Sequence, residues 1–109
     1  MASAKDKINS IKLKNTLESM ASMFETGRIN KMKDIITMYP TGVVAALGIN
    51  YGGYMAKCAA PEKFLLEDII KLSQILNIDI ELILKVVVKE SLQNTKKRNI
   101  DYLLKEENS

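Results

Sequence analysis

Few residues in this chain could do chemistry, and histidine is not among them. Its absence removes the commonest general base and the commonest metal ligand. Carboxylates stand together at Glu67–Asp68 and Asp79–Glu81. Neighbours that close on a helix point in different directions, and both pairs fall where helices should begin and negative charge is favoured anyway. The single cysteine, Cys58, has no histidine or second cysteine to activate it or share a metal, and it reads as a small core residue. No enzyme, cofactor or metal centre is expected.

What remains is the chemistry of contact, concentrated in the stretch TGVVAALGINYGGYMAKCAAPEKF from Thr41 to Phe64. Asn50 could bond a phosphate or a base edge, or simply cap a helix. Tyr51 could lie against a nucleic-acid backbone or be an ordinary surface tyrosine. Lys57 and Lys63, with Arg28, Lys31 and Lys33 before them, could form a phosphate-contacting rim, the alternative being a solvated lysine face. Gly52 and Gly53 would let a backbone or flat ligand come close. A phosphate-binding glycine loop is poorly supported, because no strand precedes them and no Gly-Lys-Ser/Thr follows. Lys96-Lys97-Arg98 is too short a basic cluster to decide anything.

The elements that must position these residues are read from hydrophobic spacing. Leu13, Leu17, Met20 and Phe24 recur at three- and four-residue steps, predicting a helix over 11–24 that stops at Thr26-Gly27. Asn30 should cap a second helix, with Met32, Ile35, Ile36 and Tyr39 facing inward and Pro40 ending it. Thr41 should cap a helix through Leu47, stopped by Gly48, and Asn50 the next through about Ala59. Pro61 makes a turn or loop of 60–63. Leu66, Ile69, Ile70, Leu72, Ser73 and Leu76 mark the most amphipathic helix, ended by Asn77. Asp79 caps a last long helix burying Ile80, Ile83, Leu84, Val87 and Val88. Beyond Gln93 the chain is polar until Ile100, Tyr102, Leu103 and Leu104, a further turn that could pack on the domain or on a second subunit. No strand is expected. The division is an N-terminal arm and helix over 1–30, a helical domain over 31–92 and a tail over 93–109.

Composition fits this picture. A chain of 109 residues, 47% hydrophobic and without Trp, must build one modest core from Leu, Ile, Val and Met, which suits packed helices. The net charge of +3 mildly favours an anionic partner, and its distribution matters more. Seven basic residues face three acidic ones up to Lys33, whereas 34–70 holds two basic and four acidic. The uncharged run from Ile35 to Ala56 is long enough to cross a membrane, but Pro40 and four glycines break it into short clusters, so no span is expected. A lone cysteine and a lysine-bearing N-terminus without an apolar segment suggest a reducing, cytoplasmic setting.

Val43-Val44-Ala45-Ala46-Leu47-Gly48-Ile49-Asn50 resembles the L-A-x-x-L-G-V-S of the phage-repressor and Cro-like (Xre-like) helix-turn-helix family. Leu66, Ile69, Leu72, Ser73, Leu76 and Ile78 fall on that family's fourth-helix pattern, and Asp79-Ile80-Glu81-Leu82-Ile83 on the opening of its fifth. The resemblance covers about two fifths of the chain and lies mostly in packing positions. It implies an all-α, lambda-repressor-like five-helix bundle, here with an additional N-terminal helix and a short C-terminal tail. It further implies a dimeric, DNA-binding transcriptional regulator whose third helix, Asn50 to Lys57, enters the major groove of double-stranded DNA. The departures lie in that helix. Gly52 and Gly53 stand where base-reading side chains belong, so base readout would be weak or non-specific, with Asn50, Tyr51, Lys57, Lys63, Lys31 and Lys33 left to make contacts. The competing expectation is a protein-interaction or oligomerisation module on the same scaffold, using the uncharged 35–56 stretch and the Ile100–Leu104 cluster as its interface.

Overall fold

The structure is a computed structural model that describes residues 7–105. The first six residues of the expected N-terminal arm and the last four of the tail lie outside the described residues. Within them the chain is all helical: α1 (Ser10–Glu25), α2 (Pro40–Leu47), α3 (Tyr51–Ala59), α4 (Leu66–Leu76), α5 (Ile80–Asn94) and the single turn α6 (Asp101–Leu104). Two 3-10 turns, Met32–Ile35 and Pro61–Lys63, join the longer helices. Among the described residues no helix is long and apolar enough to cross a membrane.

Helix boundaries follow local chemistry. Asn9 opens α1 by accepting the Lys12 N–H, Asn50 opens α3 by accepting the Gly53 N–H, and Asp79 opens α5 by accepting the Glu81 N–H. Gly48, at φ 72°, ends α2 in the left-handed region where glycine carries no Cβ penalty, and Asn77 ends α4 at φ 53°.

The helix expected from Asn30 to Tyr39 is instead the four-residue 3-10 turn. The Asp34 carboxylate accepts the N–H groups of Asn30 and Lys31, and β-branched Ile35, Ile36 and Thr37 follow, so local side-chain bonding and low propensity both work against an α-helix. Pro40 does not end a helix there; it begins α2, at a first-turn position where its missing N–H costs nothing. Tyr39 precedes it at φ 44°, outside the right-handed region that a following proline disfavours. Three contacts offset that strained backbone: the Tyr39 hydroxyl accepts the Asn9 N–H at 2.8 Å, the Lys12 ammonium lies 4.4 Å from the ring centre, and the ring covers Gly42 so closely that a Cβ there would meet it at 2.5 Å.

One core joins all five long helices. Met20 and Phe24 of α1, Val43 and Leu47 of α2, Tyr54 and Cys58 of α3, Ile69, Leu72 and Leu76 of α4, and Ile83, Val86 and Val87 of α5 are buried together, with Ile29, Met32 and Ile35 from the first connection. Two expected inward positions differ. Val88 is exposed on α5 while Val86 and Glu90 are buried, because the inner face follows the 83, 86, 87, 90 spacing of a helix rather than the run of valines. Leu66 is 62% exposed, since α4 turns inward only from Asp68.

Candidate functional site

The outward surface of α3 is where a contact site was expected, and its geometry follows from what α3 must bury. Tyr54 and Cys58, one turn apart, are fully buried and fix the rotation of the helix. That rotation leaves Tyr51, Gly52, Ala56 and Ala59 facing solvent. Burial pushes the Cys58 thiol up to about 12, so at neutral pH it is a protonated packing group and no nucleophile. Burial likewise raises the Tyr54 hydroxyl, with the Cys58 thiol close enough to add to the effect. No group meets hydrogen-bond geometry at that hydroxyl among the described residues.

The two glycines differ. Gly52 is exposed, and a Cβ there would meet nothing closer than the Asn50 Oδ1 at 3.8 Å. Gly53 is half-buried, and a Cβ would press to 2.9 Å from the same oxygen, which accepts the Gly53 N–H. The expectation that both stand open at reading positions is therefore corrected for Gly53, which is required by the close approach of the Asn50 cap. Asn50 is exposed with its Oδ1 engaged in capping.

The basic candidates separate in the same way. Lys57 reaches its ammonium to Asp68 Oδ2 at 2.6 Å, and Asp68 is only 4% exposed. Asp68 also accepts the Leu65 N–H at 3.0 Å, closing the start of α4. Burial alone would raise the Asp68 carboxyl. The Lys57 hydrogen bond, the Leu65 N–H and the positive charges of Lys57 and Lys71 outweigh it and hold the group below its ordinary value. This is the only ion pair among the described residues.

Lys31, Lys33 and Lys63 are exposed, and Arg28 stands beside them in sequence, also exposed. The first 3-10 turn presents Lys31 and Lys33, and the second presents Lys63; α3 packs against both turns. Glu90 of α5 anchors the first turn by accepting the Met32 N–H at 2.5 Å inside the core, so that Met32 points in and the lysines on either side point out. At the second turn, Glu62 accepts from the Asn94 amide at 3.0 Å, which lowers its carboxyl from the ordinary range.

Comparison with family models, curated proteins and solved structures gives no match. The arrangement of this chain's own residues therefore carries the functional reading. Sequence reasoning missed the two buried carboxylates that hold the site together, Asp68 and Glu90. Asp68 had been taken as a helix-start charge and Glu90 as solvent-facing, and neither partner is near in sequence: Lys57 is 11 residues from Asp68, and Met32 is 58 from Glu90. A charged residue in phase with Ile83, Val86 and Val87 was the available signal for Glu90.

Alongside α3 lies an apolar groove between the first turns of α1 and the outer side of α2, lined by Ile8, Leu13, Val44, Ala45, Ile49 and Tyr51. Lys7 stands at its edge.

Proposed function

We propose that this chain is a DNA-binding regulator of the helix-turn-helix type that holds the duplex through its phosphates and discriminates bases little. One observation carries the reading: α3, with an outward face of Tyr51, Gly52, Ala56 and Ala59, is flanked by two turns whose lysines, Lys31, Lys33 and Lys63, are exposed and free of carboxylate partners among the described residues. Small side chains let a helix approach a groove closely without reading it, while flanking ammonium groups meet the strands on either side. The order α2, glycine turn, α3 is also the one that a lambda-repressor-like bundle would use.

Titration of a labelled duplex at low and raised salt tests this. Binding should weaken steeply with salt, with a slope of about −0.9 per phosphate contact in the double-logarithmic plot. Replacing Lys31, Lys33 or Lys63 by Gln should each reduce that slope by about one, equally for unrelated sequences. No binding at low salt, or binding indifferent to salt, refutes the proposal.

A second reading, a protein-interaction and oligomerisation module, is favoured by a different observation. From Thr41 to Ala59 the only charged side chain is Lys57, which is paired, and the uncharged surface runs into the apolar groove. Light scattering of the full chain across a dilution series tests that reading without nucleic acid.

A further inference from the structure

The groove beside α2 and the tail are two apolar surfaces with nothing on them. On α6, Tyr102, Leu103 and Leu104 are each more than 60% exposed, Ile100 before them is 41% exposed, and no residue of the turn is buried. A four-residue helix has no intrinsic stability in water, so its order depends on a surface to lie against. Its own domain does not supply one. The Cα radius of gyration is 17.9 Å and the long dimension 71 Å, against about 13 Å expected for the radius of a compact chain of this length. The excess length places the tail away from the body of the helices.

We propose that α6 of one copy docks in the α1–α2 groove of a second copy, and the second copy's tail in the first, giving a two-fold dimer. Two features of the groove suit this occupant. Its floor is built from small Ala45 beside Val44 and Ile49, leaving depth for the adjacent large side chains Leu103 and Leu104. Its edge is basic: Lys7, Lys12 and Lys14 face no carboxylate in sequence between residues 7 and 17, whereas 101–107 reads DYLLKEE, three acidic residues against one basic. Exchange of an identical element satisfies both apolar surfaces with one contact repeated by symmetry. Tyr51 lines the groove, so a docked tail would cover the start of α3. The inference deepens the oligomerisation reading and rests on it, and is independent of DNA binding.

The experiment uses the full chain and two variants that damage opposite halves of the contact: Leu103→Asp with Leu104→Asp in the tail, and Ala45→Glu in the groove. Ala45 is exposed on α2, and Ala46→Glu on the same surface is the alternative should far-UV circular dichroism show Ala45→Glu unfolded. Light scattering across a dilution series should find the unaltered chain dimeric, and each variant associating at least about tenfold more weakly. An equimolar mixture of the tail and groove variants, each with one intact half, should form a one-to-one complex at least about tenfold tighter than either variant forms with itself. A dimer whose variants gain nothing on mixing overturns the tail-in-groove contact and leaves the oligomerisation reading standing. A chain that is monomeric at every concentration overturns both.

Discussion

Asp68 and Glu90 are both buried carboxylates, both within reach of the candidate site, and they are held in opposite ways. Asp68 is met by an ammonium group, Lys57, and by a backbone N–H. Glu90 is met by a backbone N–H, that of Met32. The consequence for the surface differs accordingly. At α3 a lysine that would otherwise face a partner is turned to the protein itself. At the first 3-10 turn no lysine is consumed, and the buried bond keeps Lys31 and Lys33 pointing outward. Burial of a carboxylate thus removes positive charge from one side of the site and presents it on the other.

The sharpest way to break the comparison is Lys57→Met, which leaves Asp68 buried without its cation. Because Lys57 is itself 23% exposed, some water can replace it, and a loss of about 2–3 kcal/mol is expected rather than the larger values of fully buried pairs. Urea denaturation measures it, and adding Asp68→Asn should recover most of the loss; a change below about 0.5 kcal/mol would mean the pair is merely a surface contact.

Glu90→Ala comes next. It strands the Met32 N–H and should cost about 1–3 kcal/mol, while Glu90→Gln, which keeps an acceptor, should cost clearly less. If the two variants lose equally, the bond to Met32 is not what anchors the lysine-bearing turn.

The two carboxylates also separate under acid. The folded-state value of Asp68 is depressed, so its contribution is complete above the ordinary carboxylate range and is lost as pH falls through that depressed value. The urea midpoint should therefore drop on acidification in the unaltered chain, and this part of the slope should vanish in Asp68→Asn. An identical acid limb in that variant would contradict the assignment.

The smallest effects distinguish the neighbouring glycines of α3. Gly52→Ala should raise stability by roughly 0.5–1 kcal/mol, since its Cβ enters open space in a helix. Gly53→Ala should instead lower the thermal midpoint, because its Cβ displaces the Asn50 cap, worth about 1 kcal/mol. Equal shifts of the same sign would remove the distinction drawn between them.

Much of the helical frame was legible before any coordinates. The three- and four-residue spacing of Leu13, Leu17, Met20 and Phe24 marked α1, Gly48 and Asn77 marked two stops, and Asn50 and Asp79 marked two starts. These signals act within one or two turns, so they are readable along the chain. Pro40 misled for the same local reason. A proline can follow a helix or open one, and what decided was the Tyr39 ring packed on Gly42 with its hydroxyl bound to Asn9, thirty residues away. The extra helix expected at 30–39 rested on apolar spacing alone, and Met32 and Ile35 satisfy that spacing from a single 3-10 turn.

The sequence by itself determined that the chain is helical, where most helices start and stop, and that α3 would carry little to read bases with, because each of these depends on residue type and near neighbours. Only the tertiary structure decided which lysines remain available. Lys57 and Lys63 look alike in sequence, and the difference between them is the carboxylate of Asp68, delivered by the packing of α4 beside α3. Long-range pairing of charge is a property of which helix faces meet, and no local pattern encodes it.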